Sequence, residues 1–247
     1  MKKSALLIAT SAVLTLLITA YLYIAIFPAC LFPHISVHDN VTVRSTIPVD
    51  PGLFPLLDST RSLLRHSTLY DSAISYRVYF CENYPLYALF LPASFGSFGA
   101  TYSLVNRIYV AKTDPIHDHC FANKPRNNQR SLHTLLAHEM MHCLLTKRFG
   151  LWRTIFAPKW KTEGYCEFIS GESSFDTCAG IQLIKQGKQD RSFSFSYFKY
   201  RLYVTYLIAR KGLTIEEIMD TRFNTKKLDA EIRVVADSLL EVRSKQR

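Results

Sequence analysis

The sequence has no C-x-x-C pair, no long run of basic residues and no internal repeat or low-complexity tract. Zinc sites built from cysteines use closely spaced pairs, so the first absence argues against a separate site of that kind. Hydrophobic residues make up 48% and aromatic residues 13% of the chain, which excludes a disordered protein. At 247 residues the chain is long enough for one domain with a full core.

Charge is also absent from residues 5–27, an apolar stretch of 23 residues. As a helix this stretch would span about 34 Å, enough for the apolar part of a bilayer. Lys2 and Lys3 precede it, which favours a cytoplasmic N-terminus. We therefore predict an uncleaved signal anchor at residues 1–29 in a bacterial inner membrane, crossed once, with the remaining chain on the periplasmic side. A cleaved signal peptide and a lipoprotein site at Cys30 are the alternatives for this segment.

Residues 83–106 form a second stretch without charged side chains. Pro85, Pro92, Gly96 and Gly99 argue against a continuous helix there. We predict buried strands and an apolar loop, with membrane contact as the alternative.

The net charge of +10 is spread along the chain. Such a charge suits an acidic partner or a negatively charged membrane surface, and a solvated basic surface is the alternative. We expect no nucleic-acid partner for a domain outside the membrane.

Six cysteines are present, five of them in the predicted outer domain. An oxidising compartment permits disulfides, and Cys81 with Cys120 and Cys166 with Cys178 are candidate pairs. Sequence alone does not fix the connectivity. We divide the chain into the anchor, a poorly periodic stalk at residues 30–55 and a domain at residues 56–247.

The most informative motif is His138-Glu139-Met140-Met141-His142, which reads H-E-x-x-H. Residues four apart lie on one face of a helix, so both imidazoles can point at one metal ion. Glu139 lies about 100° round the helix from His138, where it can reach a water at the metal. Apolar residues at helical spacing through residues 131–146 predict the required helix, which begins after Ser131 and ends at Gly150.

A second motif, W-x-x-E-G-x-x-E, follows at Trp160, Glu163, Gly164 and Glu167. With this pair of motifs the chain resembles the gluzincins, the thermolysin-like zincin metallopeptidases. The resemblance implies one Zn²⁺ per chain with His138, His142 and Glu163 as ligands. It also implies that Glu139 is the general base. Glu167 is either a residue behind the ligands, orienting a histidine through its other ring nitrogen, or the rival third ligand.

Period-two patterns predict strands at residues 73–81 and 104–111, and helical patterns dominate after the motifs. The expected fold class is α+β: a compact zincin-like domain with a small sheet, the active-site helix and a helical C-terminal half, behind an N-terminal transmembrane helix. In zincins the strand before the active helix commonly pairs with extended substrate. Residues 106–110 would have that role here, unless they form an ordinary sheet strand.

A stripe of tyrosines, Tyr197, Tyr200 and Tyr203, lies on the helix predicted at residues 192–210. Some metallopeptidases stabilise the oxyanion with a tyrosine, but a stripe at helical spacing is more often core packing. We favour core packing.

Together these features predict a membrane-anchored zinc metallopeptidase that hydrolyses peptide bonds in a peptide or protein substrate, with Glu139 as base. Two alternatives stay open. One is a non-catalytic anchored domain that keeps the fold, and the other is a zinc amidohydrolase acting on a non-protein amide.

Overall fold

The computed structural model describes the backbone of residues 2–244 and the side chains of residues 10–239. Its central sheet has five strands in the order β1-β2-β3-β5-β4. The strands are β1 (His34–His38), β2 (Val41–Ser45), β3 (Tyr76–Phe80), β4 (Gly99–Tyr102) and β5 (Arg107–Val110). β2, β3 and β5 run parallel, while β1 and β4 are antiparallel edge strands. A smaller antiparallel sheet contains β6 (Lys112–Asp114), β7 (His119–Phe121) and β8 (Gln129–Ser131).

Helices precede, connect and follow these strands. In chain order they are α1 (Lys2–Ile26), α2 (Leu53–Leu64), α3 (Tyr84–Phe90), α4 (Leu132–Phe149), α5 (Leu151–Phe156), α6 (Lys159–Ser170), α7 (Thr177–Gln186), α8 (Phe193–Ala209), α9 (Ile215–Asp220) and α10 (Thr225–Ser244). Every helix or strand after β8 is a helix within the described residues.

The predicted α+β class is wrong, because the fold is a mixed α/β arrangement. Parallel neighbours need a crossover connection, and α2 supplies it between β2 and β3. The prediction missed this alternation because it assigned residues 30–55 to a stalk. That segment instead holds β1 and β2, joined by a two-residue turn at residues 39 and 40 in which Asp39 has a φ of 49°.

The transmembrane prediction for residues 1–29 is also wrong: no helix in the described part of the chain combines the length and the hydropathy needed to cross a membrane. This finding overturns the predicted single-pass placement in the inner membrane and the periplasmic location. The prediction rested on the absence of charged side chains from residues 5–27, of which the side chains of residues 5–9 lie outside the described residues. The side chains of Lys2 and Lys3, on which the orientation rested, lie outside the described residues.

The core lies on both faces of the main sheet, because side chains alternate along each strand. Val78 and Ile108 face the larger cluster, which includes most buried residues of α4. Tyr79 and Tyr109 face a smaller aromatic cluster, against which Ile24 of α1 packs. The α4 helix contacts α2, α6, β4 and β8, so it is held from both the sheet and the helical half.

Candidate metal centre

The α4 helix carries three of the predicted site residues. It begins after Ser131 and ends at Gly150, as its sequence pattern predicts. Gly150 has a φ of 83°, a conformation that glycine adopts without steric strain. His138 and Glu139 are buried and His142 is half-buried, so the helix presents these polar groups from inside the core.

The α6 helix brings Glu163 to the two histidines. Glu163 Oε2 lies 3.2 Å from His138 Nε2 and 3.3 Å from His142 Nε2. The two Nε2 atoms are 3.2 Å apart. Two nitrogens and one carboxylate oxygen therefore form a nearly equilateral triangle.

This triangle fits a tetrahedrally coordinated metal ion. Zinc binds imidazole nitrogen at about 2.0–2.1 Å, and tetrahedral angles then separate neighbouring ligand atoms by about 3.3 Å. Each observed side is within about 0.1 Å of that separation. Imidazole and carboxylate donors also bind other divalent transition metals, so the geometry alone does not select zinc.

The electrostatics of the cluster favour a positive charge at its centre. Burial lowers the pKa of His138, but the neighbouring carboxylates of Glu163 and Glu167 outweigh it and raise that pKa to about 10. Burial raises the pKa of Glu163, but His142 and His138 hold it well below its usual range. Both pKa shifts show that the carboxylates of the cluster favour a positive charge beside them, and a divalent cation would supply that charge.

Glu167 lies behind the triangle rather than in it. Its Oε1 is 3.0 Å from His138 Nδ1, within ion-pair distance, although the contact does not meet hydrogen-bond geometry. The same oxygen accepts a 3.2 Å hydrogen bond from Arg130 Nη1. Both Arg130 and Glu167 are buried, so a buried ion pair supports the ring nitrogen that faces away from the triangle.

Glu139 is positioned by a residue that no sequence motif indicates. Thr101 Oγ1, on β4, lies 2.6 Å from Glu139 Oε2 and 3.1 Å from the main-chain oxygen of Glu139. Thr101 is 38 residues away in sequence, so no local motif connects the two. The hydroxyl fixes the carboxylate at the wall of the cleft.

Cys166 is a second residue that the sequence analysis did not place at the site. His138, His142 and Cys166 each offer one ligand atom, all within 4.8 Å of one another. Cys166 is fully buried, whereas Glu163 is 18% exposed and its Oε2 lies 3.2 and 3.3 Å from the two Nε2 atoms. On these distances Glu163 is the better third donor.

The triangle opens into a cleft of about 750 Å³. Gly99, Ala100 and Thr101 of the edge strand β4 line it, together with Tyr197. The substrate-pairing strand predicted at residues 106–110 is instead the interior strand β5, paired on both sides. β4 takes the edge position because the chain reverses between β4 and β5 and adds no further strand outside it.

The three tyrosines of α8 form a row of neighbouring rings, in which the Tyr200 ring centre lies 6.3 Å from that of Tyr197 and 6.5 Å from that of Tyr203. Tyr197 lines the cleft, with its ring centre 6.2 Å from that of His138. Burial and the nearby carboxylates of Glu163 and Glu139 raise the pKa of Tyr197, so its hydroxyl keeps its proton. Tyr203 hydrogen bonds to Asp229 and packs against Trp160, which is a structural role.

The predicted disulfides are absent. All six cysteines are free thiols, including Cys81, Cys120, Cys166 and Cys178. Cys178 is exposed on α7, while Cys166 is buried beside the two histidines of the candidate metal centre.

Comparison with known proteins adds no family assignment, since neither a protein-family model nor a curated protein matches this chain.

Proposed function

We propose that this chain is a zinc-dependent metallopeptidase. The observation that carries the proposal is the triangle of His138 Nε2, His142 Nε2 and Glu163 Oε2, with sides of 3.2–3.3 Å, at the wall of a large cleft. The likeness to the gluzincin motif pair supports the same ligand set, in which His138, His142 and Glu163 would hold one zinc ion per chain.

Zinc held by these three residues would supply Lewis acidity and would lower the pKa of a water molecule. The protein's own groups do the proton chemistry. Glu139 accepts a proton from the attacking water and later gives it to the leaving amine. Thr101 holds the Glu139 carboxylate through its 2.6 Å hydrogen bond. Glu167 lies 3.0 Å from Nδ1 of His138 and orients that ring through the nitrogen that faces away from the triangle.

The shape of the cleft favours a peptide over a small amide. β4 is an edge strand of the main sheet and lines the cleft, so one row of its main-chain groups is available for an extended peptide. A small non-protein amide has no extended backbone that could pair with a strand edge. The hydrogen bond that fixes Glu139 also argues against a non-catalytic binding domain, which needs no positioned base.

The test is to load the purified full chain with zinc and assay cleavage of casein and a peptide library by mass spectrometry. We expect Glu139→Gln to slow cleavage roughly 10²–10⁴-fold, the range for a general base, without loss of zinc. Glu216→Gln is a matched control, because that carboxylate pairs with Arg148 away from the cleft. Cleavage by the Glu139→Gln variant at the rate of the control would remove Glu139 from the role of base. No cleavage by the zinc-loaded wild type would contradict the peptidase proposal.

A further inference from the structure

The cleft contains a lysine whose charge has no acidic partner among the described residues. Lys124 lies in the loop between β7 and β8 and lines the same cleft as His138 and Glu163. Its side chain is half-buried. No carboxylate of the described chain lies within ion-pair distance of its Nζ. Burying a cation without a counter-ion costs free energy, so this position needs an explanation.

The ammonium of Lys124 is held in place by neutral groups. Nζ donates a 3.2 Å hydrogen bond to Ser194 Oγ, and Ser194 in turn lies 2.8 Å from Ser174 Oγ. Nζ also lies 4.4 Å from the centre of the Phe98 ring, within cation–π distance. Phe98 and Ser194 are both buried. These contacts fix the ammonium in the cleft but leave its charge uncompensated.

The other cations of the cleft differ from Lys124. Arg130 is neutralised by Glu167 and also donates to the main-chain oxygen of Glu172. Lys159 is exposed, so water solvates its charge. Burial and nearby Arg130 lower the pKa of Lys124 to about 8, although Glu167 and Cys120 act against that shift. An anion bound beside Lys124 would compensate the positive charge of its ammonium and stabilise it.

We propose that Lys124 anchors a carboxylate of the substrate, so that the cleft prefers acidic peptides over neutral ones. The inference rests on the proposed peptidase function and names the substrate class of that site. The carboxylate has two sources in a peptide, namely the side chain of an aspartate or glutamate and the free C-terminus. Both present the same planar anion to the ammonium.

The test measures binding rather than turnover, and therefore uses the zinc-loaded Glu139→Gln chain. The probes are hexapeptides of alanine and leucine with a neutral fluorophore. One set has a single glutamate, placed at each position in turn, and the matching set has glutamine at the same positions. Each is made with a C-terminal carboxylate and with a carboxamide. Fluorescence anisotropy gives the Kd of each probe for the Lys124 protein, for Lys124→Met and for Lys124→Arg.

We expect the carboxylate probes to bind about tenfold more tightly than their amide counterparts, a typical difference for one charged contact. Lys124→Met should remove that difference, and Lys124→Arg should keep most of it. Lys159→Met, which removes an exposed lysine from the same cleft, should leave it unchanged. If only the glutamate and glutamine probes differ in Kd, Lys124 binds a side-chain carboxylate. If only the C-terminal carboxylate and carboxamide probes differ, Lys124 binds the C-terminus.

Equal binding of carboxylate and amide probes by the Lys124 protein would overturn the inference, as would an unchanged difference in Lys124→Met. A failure of the proposed peptidase function gives a different result from a failure of the Lys124 inference. Zinc-loaded wild type that discriminates the probes but cleaves none of them would contradict the peptidase proposal and leave the anion anchor standing.

Discussion

At the scale of single residues, Thr101 determines where the Glu139 carboxylate lies. Its hydroxyl contacts both Oε2 and the main-chain oxygen of Glu139. Thr101→Val keeps the volume of the side chain and removes the hydroxyl. Hydrogen bonds to charged groups are worth about 1.5–3 kcal/mol, so we expect kcat to fall roughly tenfold or more. KM and zinc content should stay unchanged, and Thr101→Ser should restore kcat. An unaltered kcat in Thr101→Val would show that the hydroxyl does not position the base.

Glu167 stabilises the site and the core together. Its carboxylate neutralises buried Arg130 and lies beside His138 Nδ1. We expect Glu167→Gln to weaken zinc binding about 10–100-fold, as loss of a partner behind a metal ligand commonly does. Because Arg130 would stay buried without its counter-ion, the free energy of unfolding should also fall by about 3–5 kcal/mol.

Zinc titration and denaturant unfolding measure the two effects of Glu167→Gln. Glu172→Gln is the control for affinity, since that carboxylate contacts Thr134 and the Ser131 N–H but no imidazole. Wild-type affinity in Glu167→Gln would contradict the orienting role.

The residues that the motifs name could be predicted, while their supporting residues could not. His138, Glu139 and His142 share one helix, so spacing alone places them together. Glu163 and Glu167 are one helical turn apart, and spacing does not decide which of them faces the histidines. Thr101 and Arg130 reach the site from segments that carry no periodic or motif signal. Their contacts arise only when the chain folds.

At the scale of elements, Gly164 sets the distance between α6 and α8. A Cβ built at this position would lie 2.6 Å from the main-chain oxygen of Tyr200 and 2.8 Å from Val204 Cγ2. Since Glu163 is the neighbouring residue, this contact also determines where the third donor lies.

We predict that Gly164→Ala forces α6 away from α8. Overpacking of this kind costs about 1–3 kcal/mol of unfolding free energy, and zinc affinity should fall with it because Glu163 moves. Gly96→Ala is the control for stability, since its nearest neighbour would be 3.7 Å from the new Cβ. Thermal unfolding and zinc titration test both variants. Equal stability and affinity of Gly164→Ala and wild type would contradict the close-packing argument.

Helices were more predictable than strands. The sequence pattern places α4 and α8 within about two residues of their ends, a normal error for helix boundaries. β1 carries little hydrophobic signal, because its residues alternate between half-buried and exposed, and β2 was missed with it. A signal was present: residues 39 and 40 are Asp and Asn, which favour the positive φ of a two-residue hairpin turn. Without these strands, the parallel pairing of β2 with β3 could not be predicted.

At the scale of the whole molecule, metal binding should stabilise the fold. The three donors come from α4 and α6, which are together only in the folded state. Zinc at a hundred times its Kd adds about 2.7 kcal/mol of stability by mass action. For a chain of this size that corresponds to a rise in Tm of roughly 5–10 °C. Calorimetry with zinc and with a chelator should show this difference in wild type and none in Glu163→Ala. A Tm that does not respond to zinc in wild type would contradict metal binding at this site.

The charge of the whole molecule agrees with an acidic substrate. The net charge of +10 attracts anions over distances of about a Debye length, and Lys124 offers one a fixed position inside the cleft. Composition suits an acidic partner or a solvated basic surface equally, and it does not indicate which residue would bind an anion. The membrane interpretation rested on the length of an uncharged stretch and on the lysines before it, whereas no helix of the described residues is both long enough and apolar enough to cross a membrane.

The most direct test of the account is metal content by mass spectrometry on the full chain. Wild type should be compared with Glu163→Ala, Glu167→Ala and Cys166→Ala after purification with zinc present. The account predicts one zinc per wild-type chain, loss of it in Glu163→Ala, weakened binding in Glu167→Ala and full retention in Cys166→Ala. Zinc that is absent from wild type, or lost in Cys166→Ala while Glu163→Ala keeps it, would contradict the proposed centre.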